Sequence, residues 1–243
     1  NASISEHAIL GLEYLSYNEI LYRFEAYYKD FDNLLTQKQD GFDTGDSTVT
    51  SNSINEFWDT DAYAYGLEML VKKSTGKFSG WLGYTFAKTY YHTEQFGWFQ
   101  PVFDRTHTLN MVTNFKVSER FKMSLSITGS SGNPYTPILG RIYTFEHNLS
   151  DSLNWMTNEN YLVGSKNSDR HSQYFRIDAG LDFTNRSFFD IFKYDYYIQV
   201  INASNHINVM QYFHRTKTDP DTGNQIGVQR RPIQMFPLII TAG

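Results

Sequence analysis

Ser172-Gln173-Tyr174-Phe175-Arg176-Ile177-Asp178-Ala179-Gly180-Leu181-Asp182-Phe183-Thr184 is the stretch whose reading decides the fold. Phe175, Ile177, Ala179, Leu181 and Phe183 are apolar, and Arg176, Asp178, Gly180 and Asp182 sit between them. Successive side chains of a β-strand point to opposite faces, so this alternation describes a strand with one apolar and one polar face. The same period runs through Phe121 to Ser130, where Phe121, Met123, Leu125 and Ile127 oppose Lys122, Ser124, Ser126 and Thr128. In Ala62 to Lys73 it sets Tyr63, Tyr65, Leu67, Met69 and Val71 against Ala64, Gly66, Glu68 and Lys72. In Ile20 to Asp30 it sets Ile20, Tyr22, Phe24, Ala26 and Tyr28 against Arg23, Glu25 and Lys29. Further strand candidates are Glu6 to Leu15, Phe78 to Tyr91, Phe103 to Val117, Asp195 to Ser204, Ile207 to His214 and a last piece from Pro237 to Gly243. The pattern predicts an all-β chain of about ten strands.

The connections alternate in length. Short turns are expected at Ser16 to Glu19, Ser74 to Lys77 and Ser118 to Arg120, and long polar loops at Phe31 to Asp61 and Ser131 to His171. Connections of intermediate length fall at His92 to Pro101 and Thr216 to Val228. Antiparallel neighbours reverse direction, so one end of the sheet carries tight turns and the other carries elaborate loops. The strands are longer than the five or six residues common in soluble sandwiches. They reach the length that crosses a bilayer core as a tilted strand. A sheet in hydrocarbon cannot leave open edges, so the expected fold is an antiparallel up-and-down transmembrane β-barrel. In such a barrel the apolar rows face lipid, and Arg23, Glu25, Glu68, Lys72, Arg176, Asp178 and Asp182 face the lumen. Tyr27-Tyr28, Tyr90-Tyr91 and Tyr196-Tyr197 suit the aromatic girdles at its two interfaces. The alternative is a sandwich, with the apolar rows as its core and the charges turned to water.

Composition agrees with a folded chain and removes several function classes. The chain has 243 residues, a formal net charge of −5 and 17% aromatic residues, far more than a disordered segment carries. It has no Cys, which excludes disulfide frameworks, thiolate catalysis and Cys-ligated metal centres. Its longest apolar run, Met235 to Ile240, is far too short for a membrane helix and contains Pro237. Lys and Arg are scattered without the basic stripe that nucleic acid requires. Asn1 is not an initiator Met, so a processed or excised start is expected.

Several segments, taken in order, resemble the late-barrel strands of TonB-dependent outer-membrane receptors. These are Gly11-Leu12-Glu13-Tyr14 with Ala26-Tyr27-Tyr28-Lys29-Asp30-Phe31-Asp32-Asn33-Leu34, then Ala64-Tyr65-Gly66-Leu67-Glu68 and Gly80-Trp81-Leu82-Gly83-Tyr84-Thr85-Phe86-Ala87-Lys88. Phe103-Asp104-Arg105-Thr106-His107-Thr108-Leu109-Asn110 and Ser131-Gly132-Asn133-Pro134-Tyr135-Thr136 follow. Asn202-Ala203-Ser204-Asn205-His206-Ile207-Asn208-Val209 is similar to the penultimate strand pair, and Phe236-Pro237-Leu238-Ile239-Ile240-Thr241-Ala242-Gly243 to the opening of the last strand. The likeness is nearest to Bacteroidetes-type receptors that carry a carboxypeptidase-regulatory-like domain. It implies residues 1–243 as the C-terminal portion of a receptor barrel, about the last ten strands of 22, with short periplasmic turns and long extracellular loops. It further implies a bacterial outer-membrane location and uptake of a scarce nutrient such as a metal chelate, vitamin, peptide or oligosaccharide. Outer-membrane lipid and that ligand are the implied partners, with a plug domain and TonB engaged through an N-terminal part this stretch does not contain. The final aromatic residue usual in the family is missing after Gly243.

Candidate chemistry is sparse. Asp104 and His107 are three apart, so on a strand they point to opposite faces, and they are expected to pack the barrel rim rather than act as an acid–base pair. The seven His residues have no ligand-like spacing, so no metal or cofactor is expected. Asp40 to Asp46 and Asp219 to Asn224 are rich in oxygen ligands but lack EF-hand spacing, and turn chemistry explains them better. No Gly-x-Ser-x-Gly elbow is present, so no catalytic residue is assigned. Phe57, Trp58, Phe96, Trp98 and Trp155, with Phe99 and Tyr161, fall in the long connections, and aromatic faces there can grip sugars or apolar ligands. Two other classes remain open: a self-contained ten-stranded outer-membrane enzyme or adhesin, in which Glu6 to Leu15 pairs with the last strand, and a soluble carbohydrate-binding β-domain.

Overall fold

A computed structural model describes residues 2–37, 57–147, 155–188, 192–223 and 225–243. The elements in chain order are β1 (Ile4–Leu15), β2 (Ile20–Gln37), β3 (Phe57–Lys73), β4 (Phe78–Thr93), β5 (Gly97–Phe99), β6 (His107–Ser118), β7 (Phe121–Ser130) and β8 (Pro134–Tyr135). They continue as β9 (Ile138–His147), β10 (Trp155–Val163), β11 (Asp169–Arg170), β12 (Tyr174–Phe188), β13 (Phe192–Ile201), β14 (Val209–Thr218), β15 (Gln225–Gln234) and β16 (Ile239–Ala242). The fold is all-β and its strand pairs are antiparallel.

One sheet forms the body, in the order β1-β2-β3-β4-β6-β7-β12-β13-β16, with β5 appended to β4. Among the described residues β1 pairs only with β2, and β16 only with β13, so the sheet has two free edges. The self-contained ten-stranded alternative expected β1 against the last strand, which is not the pairing found.

The register extends the alternation of single strands across the whole sheet, because directly paired residues share a face. Tyr14, Tyr22, Val71, Leu82, Met111, Ile127 and Ile177 form one unbroken row through consecutive pairings. Leu125, Ala179, Val200 and Ile240 form another on the same face. On the opposite face Glu25 pairs with Gly11 and Glu68, and Glu68 with Thr85. That face continues through Asn110, Thr128 and Arg176 to Asp178 and Asp182. Arg23, Glu25, Glu68, Arg176, Asp178 and Asp182 therefore lie on one side, opposite the apolar rows.

Among the described residues no second layer covers either side. Among the described residues the buried hydrophobic side chain is Ala62, while Leu12 (66% exposed), Leu67 (45%) and Ile240 (66%) stand open. The accessible surface is 17074 Å², where a compact monomer of 28.3 kDa exposes about 11,000 Å². This excludes the sandwich alternative for the described sheet, since its apolar rows form no core.

Short turns gather at one end. In the β1–β2 turn the Ser16 amide donates to the Ile20 carbonyl at 2.9 Å and Glu19 takes φ 59°, and in the β3–β4 turn Gly76 takes φ 92°. Links β6–β7 and β12–β13 fall at the same end, and every long connection falls at the other.

Four expectations are corrected. Phe103 to Thr106 is not strand, because Asp104 turns inward to bind other segments. The expected loop from Ser131 to His171 contains the β9–β10 hairpin and the β8–β11 pair. Ile207 to His214 does not join the wall: β14 instead pairs with β15, and the two strands take in both ends of the expected loop from Thr216 to Val228. The body thus returns to the wall only at β16. The rows of β14 and β15 mix Arg, Lys, Gln and Pro with a few apolar residues, so neither face matches the apolar face of the sheet.

Candidate functional site

The long-connection end holds the densest side-chain chemistry, and many of its buried residues are polar. Thr60, Thr93, Asp104, Asn167, Asn202 and Asn208 are all buried there. A buried polar group must find partners or cost stability, and these do. Asp104 (3% exposed) accepts from the Thr89 amide at 2.8 Å and from Arg170 Nη2 at 2.6 Å. Arg170 also donates to Gln100 Oε1 at 2.8 Å and to the Gly132 carbonyl at 2.9 Å. Gly132 can have no side chain, because a Cβ there would collide with the His171 carbonyl. Asn167 Nδ2 donates to the Gln100 carbonyl at 2.7 Å, and its amide donates to Thr136 Oγ1 at 3.0 Å. This node ties the β4–β6 connection to the two segments that flank the β9–β10 hairpin. The rim-packing expectation for Asp104 fits this geometry, and His107 turns away to share a 2.8 Å hydrogen bond with the Tyr84 hydroxyl.

A second set of asparagines anchors the β13–β16 connection. Asn202, at φ 53°, donates from Nδ2 to the His206 and Phe236 carbonyls at 3.0 and 3.2 Å. Asn208 bonds both backbone groups of Phe175, each at 2.8 Å. These positions and His206 lie in the Asn202 to Val209 motif, but Phe236 and Phe175 are distant in the chain.

A third cluster joins the β14–β15 hairpin to the β8–β11 pair. The rings of Tyr135 and His171 stack at 4.3 Å and those of His171 and Tyr212 at 4.9 Å. The Arg230 guanidinium lies 3.5 Å from the Tyr212 ring and 4.2 Å from the Tyr135 ring. Arg230 donates to the Tyr135 hydroxyl and, from Nη2, to His171 Nδ1 at 2.6 Å. The Tyr135 hydroxyl donates to Asp169 at 2.6 Å, and that bond, with the Arg170 amide, holds the Asp169 carboxyl below the usual carboxylate range. Burial, then the bond to Asp169, pushes the Tyr135 phenol up.

The aromatic residues proposed from sequence for ligand contact are divided between the two faces. Trp58 shares the face of Thr60 and Ala62, and its ring meets Phe96 edge-on at 5.2 Å, with Phe99 6.1 Å beyond. The Lys166 ammonium lies 5.9 Å from the Trp58 ring and 5.4 Å from the Phe96 ring. Phe57 falls on the opposite face, the face of the apolar rows. Trp98, paired with His92, is there too, against Tyr63 at 5.0 Å. Tyr63 stacks on Tyr90 at 5.1 Å and on Tyr28 at 6.4 Å, forming an aromatic belt across β2, β3 and β4. Of the expected girdle pairs, Tyr28, Tyr90 and Tyr196 take the apolar face, and Tyr27, Tyr91 and Tyr197 the polar one. Trp155 and Tyr161 lie in β10 by backbone, and their side chains, like Asp40 to Asp46, fall outside the described residues. The Asp219 carboxylate accepts from the Asp221 amide at 2.9 Å, which closes a turn as expected for that stretch.

Sequence reasoning missed Arg170, Tyr135, Tyr212 and Arg230. The contacts that give each of them a role span large sequence distances.

No family model matches the chain, and no curated protein sequence matches it. Among solved structures it is similar to the ferripyoverdine receptor of the outer membrane of Pseudomonas aeruginosa, bound to ferripyoverdine, with a TM-score of 0.50 and 11% identity. The similarity covers 84% of this chain and 24% of that receptor, so the chain spans about a quarter of the receptor's length. At this identity the likeness concerns the fold alone: an all-β chain built on an antiparallel sheet. No helix among the described residues is long and apolar enough to cross a membrane, and this says nothing of crossing by strands.

Proposed function

We propose that this chain is part of the wall of a TonB-dependent outer-membrane receptor, with its long connections forming the ligand-binding mouth. One observation carries the reading: a coreless sheet with two free edges, whose register separates an unbroken apolar face from a polar one. In hydrocarbon the free edges must be paired, so further strands of a longer protein would close the barrel. The apolar rows and the Tyr28, Tyr63, Tyr90 and Trp98 belt would then face lipid and its interface. Arg23, Glu25, Glu68, Arg176, Asp178 and Asp182 would line the lumen.

In this reading Trp58 and Phe96 sit at the lumen side of the mouth and can touch a nutrient such as a metal chelate, vitamin, peptide or oligosaccharide. The plug and TonB would act through the N-terminal portion of the longer protein. The function is transport, and no side chain is assigned to break a bond.

Cysteine substitution of alternating β3 positions in the full-length protein tests the reading, since this stretch brings no Cys of its own. In bilayers, labels on Leu67→Cys and Met69→Cys should be quenched by lipid-phase probes, and labels on Glu68→Cys by aqueous ones. Equal aqueous quenching at all three positions would overturn it.

A further inference from the structure

We propose that Tyr135, His171, Tyr212 and Arg230 form an acid-releasable latch that holds the β14–β15 hairpin to the β8–β11 segment, and that protonation of His171 opens it. The latch is defined by loop geometry alone and stands whether or not the sheet meets lipid.

The hairpin needs an attachment, because among the described residues β14 and β15 pair with each other and not with the wall. Among the described residues its side-chain bonds to the β8–β11 region converge on one stack: Tyr212 on His171, Arg230 on both Tyr135 and His171, and the Tyr212 hydroxyl with Ser172 Oγ at 2.6 Å.

The protonation state of the histidine follows from its partner. Arginine has donors and no acceptor, so His171 Nδ1, 2.6 Å from Arg230 Nη2, must be the accepting nitrogen of a neutral ring. A proton on Nδ1 abolishes that bond and sets an imidazolium directly against a guanidinium. Histidine is the side chain whose ordinary titration falls in the mildly acidic range where such a change is available.

Among the described residues, Tyr135, Tyr212, Asp169 and Arg230 act on His171 and set the sign. Tyr135 from β8 and Tyr212 from β14 present ring faces, which favour a cation, but Arg230 from β15 already lies against both rings, at 4.2 and 3.5 Å. Asp169 from β11 favours a cation as well, yet its carboxylate is already engaged by the Tyr135 hydroxyl and the Arg170 amide. Arg230 touches the titrating nitrogen itself, so repulsion there outweighs the more distant attraction. Arg230 Nε is moreover buried without a hydrogen-bond partner, so release lets that N–H reach water.

Spin labels at Lys217→Cys, near the hairpin tip, and Ser165→Cys, beside the β11 segment, read the latch in the full-length protein. The distance distribution should be narrow at about pH 7.5 and broad at about pH 5.5. His171→Asn keeps an acceptor near the Nδ1 position and removes the titration, so it should stay narrow at both values. Arg230→Met should be broad at both. A wild-type distribution that does not change with pH, a His171→Asn variant that broadens like wild type, or an Arg230→Met variant that stays narrow would each overturn the proposal.

Discussion

The body of the sheet and its long-connection end are built on opposite rules. In the body, Leu12, Leu67, Met69 and Ile240 are exposed, and order comes from backbone ladders that run the length of each strand. At the long-connection end the buried groups are Thr60, Thr93, Asp104, Asn167, Asn202 and Asn208, and order comes from side chains bonding distant backbone. A protein folding in water alone would hide the first set and expose the second. The difference teaches that the body leaves its apolar face uncovered by the described residues, whereas the long-connection end supplies its own polar interior.

The comparison can be broken most forcefully at the Asp104–Arg170 pair. Arg170→Ala leaves an almost fully buried carboxylate without its cation, and should cost about 3–5 kcal/mol, read as a lower unfolding midpoint of the full-length protein. In the body, Leu67→Arg on the apolar face should cost about 2–4 kcal/mol in a bilayer, while Glu68→Gln on the opposite face should change the same midpoint little. Equal effects at the two positions would erase the distinction between the faces. Asn208→Ala strips both backbone groups of Phe175 of their partner, and a loss of about 1–3 kcal/mol is expected from the same unfolding measurement.

The smallest expected effect concerns Asp169. Its folded carboxyl is held below the ordinary range by the Tyr135 hydroxyl, so its contribution is present above the unfolded value and is lost as pH falls through the folded one. Asp169→Asn should therefore lower the stability of the long-connection end slightly at neutral pH, where the carboxylate contributes, and flatten the acid limb of its profile below about pH 4. The loss lies on the acid side of the His171 transition, so hydrogen exchange at two pH values separates the two groups.

Much of the body was legible in the residues. The strand Phe121 to Ser130 stands where its alternation places it, and β12 covers most of Ser172 to Thr184, because a period of two over ten residues leaves little choice of face. The long-connection end was far less legible. Arg230 meets Tyr135 across 95 residues, and Asn167 meets Gln100 across 67, and no local period announces either contact. Aromatic residues in the long connections were visible as a group, yet nothing local told Trp58 from Trp98. β3 and the β4–β5 pairing put them on opposite faces.

Alternation by itself determined the all-β class, the two-faced strands and the alternation of turn lengths, because side-chain direction along a strand is a local geometric fact. Tertiary structure alone decided the strand order, the departure of β14 and β15 from the wall and the partners of the buried asparagines and arginines. Those depend on which segments meet, and meeting is set by register and packing over distances that no stretch of sequence contains.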